Sequence, residues 1–131
     1  MSQAVLEHVD DIDAVYASMR GWLGASGWMS HQIDFRSHGT ADAWNGHWTY
    51  SEGLWRLMRG RRAYFINRRP YSDHVLMLNK YGFRIVSEQK SQGPPLERSR
   101  LSSTFANLSD DDLTIAAAFI QSIPTTINTA P

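Results

Sequence analysis

Glu7 and His8 stand side by side in a polar run, Ser2, Gln3, Glu7, His8, Asp10 and Asp11, of a 131-residue chain. A histidine changes charge near neutral pH, so His8 can take a proton from a hydroxyl or amine nucleophile. The bland alternative is a turn histidine that caps or packs. His31, Asp34 and Arg36 form a second set. Asp34 with Arg36 reads either as a substrate clamp or as a surface ion pair of small energetic worth. Residues 36–51 add His38, Trp44, His47, Trp48 and Tyr50, and long connections of this kind are either ligand-contacting lids or Ω-like loops that fold aromatics over the core. No two of the five histidines have the i, i+4 spacing of a helical metal site, so no metal is expected.

Six of the eleven arginines (Arg56, Arg59, Arg61, Arg62, Arg68 and Arg69) lie in one stretch without an acid. With Tyr64, Phe65 and Tyr71 they read as an anion site, a docking surface, a single-strand nucleic-acid contact or a solvated basic face. The formal net charge is zero, so the chain as a whole has no long-range pull on nucleic acid or anionic membrane. Nucleic acid and membrane are therefore not expected partners.

These groups must be positioned by alternating helices and strands. Ile12, Val15, Tyr16, Met19, Trp22 and Leu23 recur at threes and fours, which predicts a helix over 10–23 with an aspartate cap and a stop at Gly24. The stretch 28–35 predicts a strand with Met29, His31, Ile33 and Phe35 on one face. Ser51 opens a short helix to Gly60 with Leu54, Trp55, Leu57 and Met58 as its apolar members. Ser72 caps another over 73–81, with Val75, Leu76 and Leu78 buried. Residues 83–90 alternate as a strand, 91–100 read as a loop, and 99–108 as a loose helix. The stretch 114–123 fits helix or strand by pattern alone.

Three signals in order carry a resemblance: Ala4-Val-Leu-Glu-His-Val-Asp10 with its following helix, Leu23-Gly-Ala-Ser-Gly-Trp-Met29 leading into a strand, and Lys80-Tyr-Gly-Phe-Arg-Ile-Val86 leading into another. Together they resemble the C-terminal half of a class I S-adenosylmethionine-dependent methyltransferase, over most of residues 1–123. The resemblance implies an α/β fold: a partial Rossmann-like sheet of about three main strands, the last (116–123) antiparallel between the other two, with flanking helices. It implies one truncated domain over 1–123, an insertion or lid with the basic segment over 36–71, and a flexible tail over 124–131.

In the family the acidic-Gly-x-Gly turn that cradles the cofactor precedes these elements, and S-adenosylmethionine is not expected to bind this chain tightly. Ser2, Gln3 and Glu7 would form a residual cofactor rim and His8 the general base. His31, Asp34, Arg36, Trp44 and Trp48 would face the substrate, a small or medium-sized molecule. The chain alone is expected to be inactive. The alternative is a non-catalytic α/β interaction module that docks on a partner or self-associates through an exposed sheet edge. The absence of cysteine and of a long apolar run suits a cytoplasmic protein.

Overall fold

A computed structural model describes residues 1–125. The elements run β1 (Ser2–Gln3), a 3-10 turn (Leu6–His8), α1 (Ile12–Trp22), β2 (Met29–Asp34), a 3-10 turn (Gly46–Thr49), α2 (Glu52–Arg59), α3 (Tyr71–Lys80), β3 (Phe83–Gln92), two further 3-10 turns (Arg98–Arg100 and Ser103–Phe105), α4 (Asp110–Thr114) and β4 (Ile115–Pro124). The class is α/β. Its sheet has four strands rather than three, because Ser2 and Gln3 pair in parallel with His31 and Gln32. The order is β1-β2-β4-β3.

β4 settles the stretch that pattern left open. It runs antiparallel to both neighbours, with Ile33 opposite Ala118 and Phe83 opposite Pro124. A strand between two others is buried on both faces, and so reads as the near-continuous apolar run Ile115 to Ile120 that periodicity cannot tell from a helix. Met29, Ile33, Ala118, Ile120 and Phe83 from the sheet join Tyr16 of α1 and Leu78 of α3 in one core.

The caps explain where the helices begin. Asp11 accepts from the backbone N–H of Ala14 at 2.9 Å, and Ser51 from that of Leu54 at 3.3 Å. α3 departs from expectation. It begins at Tyr71 after Pro70, and its free N–H at Ser72 donates to the buried carboxylate of Asp112 at 2.9 Å rather than to a neighbour in sequence. The apolar stripes also overreach: Trp22 (80% exposed), Leu57 (79%) and Leu76 (59%) face outward, because no described element lies over those positions of α1, α2 and α3. β3 extends two residues into the expected loop, and residues 98–105 form two short 3-10 turns in place of a loose helix. Of the expected tail, residues 126–131 lie outside the described residues, while Pro124 closes β4.

The excursion 36–51 folds inward. Asn45, His47 and Trp48 are buried, and the side chain of Asn45 donates to the carbonyls of Pro94 and Leu113, both at 3.2 Å. Trp44 donates its indole N–H to Pro94 at 2.8 Å, lying so close over Gly93 that a Cβ there would sit 2.5 Å from the indole nitrogen. The segment is an Ω-like part of the core.

Candidate functional site

β1 and β2 run parallel, so the turn after β1 and the chain leaving β2 emerge at the same end of the sheet. After β1 the backbone at Ala4 turns through a positive φ of 52° into the Leu6–His8 turn. Asn67 holds that turn from outside. Its backbone N–H donates to Glu7 at 2.7 Å, and its side-chain amide reaches the carbonyls of Leu6 at 2.8 Å and Val9 at 2.7 Å.

At the end of β2, Arg36 clasps Asp34. Its Nε donates at 2.8 Å to one carboxylate oxygen and its terminal nitrogen at 2.7 Å to the other, while the Arg36 backbone N–H adds a third bond at 2.9 Å. Burial opposes ionisation of Asp34, but the Arg36 bonds and charge outweigh it and hold the carboxyl below its ordinary value. His38 brings Nε2 to 3.5 Å from the same carboxylate. Its ring meets that of His8 edge-on, centroids 5.3 Å apart. Asp34, Arg36, His38 and His8 thus form one line from strand end to turn.

Glu7 is the anomaly beside them. It is 3% exposed, and among the described residues neither carboxylate oxygen has a hydrogen-bond partner. Burial pushes its carboxyl above the ordinary value and Asp34 adds to that, while its backbone and the His8 and His38 charges act the other way. It borders a cavity of about 10 Å³ with Asp34, Arg36, His47, Asn67, Arg68 and Arg69. A buried carboxyl that holds its proton more tightly than a free one is the kind of group found at functional sites.

His8 faces two ways. Its Nδ1 is buried without a partner among the described residues, and the residue also lines an open cleft of about 620 Å³ with Ala4, Val5, Val9, Asp10, Ala63 and Tyr64. The cleft is mostly apolar around the His8 imidazole and the Asp10 carboxylate, an arrangement that seats a small molecule and offers it proton acceptors.

The other expected site residues separate from this cluster. Ser2 shares a 2.7 Å hydrogen bond with Nδ1 of His31, and His31 is buried against Tyr16, ring centroids 6.5 Å apart, not at the rim. Burial lowers the His31 pKa to about 4, with the N-terminal ammonium adding to the effect. Gln3 is exposed beside Met1, Gln32 and Phe119. Trp48 is fully buried, its indole N–H donating to the carbonyl of Arg68 at 3.0 Å, so it supports the site from behind; Trp44 is tied to Pro94. Sequence reasoning misses Asn67, and takes Arg68 only as one member of the arginine cluster. The signal was slight, an asparagine inside an arginine run before Pro70, and nothing periodic marks a side chain that clamps a distant turn.

Among the described residues no group of three or more histidine and acidic side chains is arranged to hold a metal ion. No described helix is long and apolar enough to cross a membrane. No protein-family model matches the chain, and no curated protein matches it.

Proposed function

We propose that these residues form the substrate-facing, C-terminal part of a class I S-adenosylmethionine-dependent methyltransferase acting on a small or medium-sized molecule. The observation that carries the reading is the sheet order, with β1 and β2 parallel and β4 antiparallel between β2 and β3, as the sequence resemblance implies. In this reading the chain seats the acceptor against Val5, Val9 and Tyr64 and takes up its proton at His8. His38 and Asp34 orient that imidazole from behind.

The residues present do not fit the whole cofactor. No Gly-x-Gly occurs in the sequence, Glu7 is buried, Asp34 is engaged by Arg36, and the Ser2 hydroxyl is bonded to His31. The chain alone therefore holds the cofactor weakly, and polypeptide other than these 131 residues contributes the glycine turn.

The test incubates protein recovered from its native source through these residues with methyl-labelled S-adenosylmethionine and a small-molecule extract. Label in a small-molecule product supports the reading. Label that stays in the cofactor, or goes only to macromolecules, overturns it.

One observation favours the second reading, an interaction module. β1 is two residues long, and Met1 (96% exposed), Trp28 (61%) and Val5 (47%) stand bare around it. That reading expects self-association in light scattering, and a monomer at high concentration contradicts it.

A further inference from the structure

Along the sequence the arginines between 56 and 69 resemble one solvated face, but the fold sorts them. Arg56, Arg59, Arg68 and Arg69 line a single groove of about 390 Å³, together with Asp10, Glu52 and Asp73. Arg68 is its fixed member. The side chain is buried, pairs with Glu52, donates to the carbonyls of His47 at 3.2 Å and Tyr50 at 2.8 Å, and lies over the rings of Trp55 at 4.5 Å and Phe105 at 4.8 Å. Such a guanidinium is locked in place and shapes the groove rather than reaching into it.

The other three are available. Arg59 meets Asp10 at 2.6 Å and Arg69 meets Asp73 at 3.1 Å, both in partly exposed pairs of small energetic worth, which an incoming anion can re-partner. Arg56 is exposed and, among the described residues, makes no ion pair or side-chain hydrogen bond. Four guanidiniums face three carboxylates, so the groove carries one unmatched positive charge.

We propose that this groove binds the carboxylate of a small molecule, with Arg56 as its main partner and Arg59 and Arg69 in support. A single unmatched charge suits a monoanion, and a planar guanidinium grips a carboxylate through two parallel hydrogen bonds. A phosphate dianion would leave negative charge over among three acids. The groove is not remote from the first site: it shares Asp10 with the His8 cleft, and Ile66, Asn67, Arg68 and Arg69 with the cavity beside Glu7. Joined to the methyl-transfer reading, on which this consequence rests, the inference makes the acceptor an organic acid anchored by its carboxylate.

The test is NMR of arginine Nε–H signals in the whole chain at low salt, titrated with sodium benzoate. Benzamide serves as the neutral twin and inorganic phosphate as the second anion. Saturable shifts at Arg56, Arg59 and Arg69 are expected with benzoate and not with benzamide, and Arg56→Gln should weaken benzoate binding about tenfold. Arg56 has no partner to lose, so that variant keeps its fold. Absence of a saturable benzoate shift, equal affinity in Arg56→Gln, or preference for phosphate overturns the proposal. No cofactor enters the titration, so its failure and a failure of the methyl-transfer reading are told apart.

Discussion

The backbone N–H of Asn67 donates to the carbonyl of Glu7 at 2.7 Å, which makes the arginine-rich segment and the turn after β1 a single unit. The Asn67 side chain adds two bonds to that turn, and its oxygen accepts from the Arg69 backbone N–H at 2.9 Å. Replacing Asn67 with alanine strands the carbonyl of Val9 and leaves that of Leu6 only the Val9 N–H at 3.4 Å, a loss of about 1–3 kcal/mol. Urea unfolding measures it, and a change below about 0.5 kcal/mol, the range of an ordinary surface substitution, would contradict the clamp.

Glu7 carries the opposite expectation. Its folded pKa is raised, so the folded state holds this proton more tightly than the unfolded chain, and stability falls as pH rises from the unfolded value through the folded one. Glu7→Gln removes the ionisation and should raise the melting temperature at pH 8 while changing little at pH 4. A variant less stable at pH 8 would mean that the carboxylate has a compensating partner.

Three core histidines set the acid limit. Burial drives His31 to about 4 and both His47 and His74 to about 3, with Arg68 and His38 adding at His47 and His31 and Arg69 at His74. Each is depressed from 6.5, so the unfolded chain binds protons that the fold refuses, and their contribution is complete above pH 6.5 and lost below it. Between about pH 5.5 and 4.5 the three together cost up to about 4 kcal/mol per pH unit. Circular dichroism should show cooperative unfolding above pH 4. Native signal persisting below pH 4 would contradict the burial.

The spans of β2, β3 and the helix cores were legible because apolar spacing and caps such as Asp11 and Ser51 are local. What spacing cannot give is the neighbour. Trp22 and Leu76 lie on apolar stripes, yet among the described residues nothing covers them; His31 sits on an inward-facing register, where Ser2 and Tyr16 meet it. The Glu7–His8 pair stood out as polar groups close together in sequence. Their link to His38 and Asn67 depends on the chain returning from 30 and about 60 residues away, which no local pattern encodes.

Residues 36–51 pack as part of the core rather than as a lid. Gly93→Ala drives a methyl group into the Trp44 indole and should cost about 1–3 kcal/mol of global stability. Tryptophan fluorescence during urea unfolding reads both the local and the global change. If only a local signal moved and the midpoint stayed put, the segment would be a detachable lid.

The central claim, that these residues are the acceptor side of a methyltransferase, is tested most directly by ultraviolet cross-linking of methyl-tritiated S-adenosylmethionine. The native species purified through this chain is compared with the 131-residue chain alone. The account expects label on the native species, suppressed by excess unlabelled cofactor, and none on the chain alone. A native species that takes up no label would contradict it.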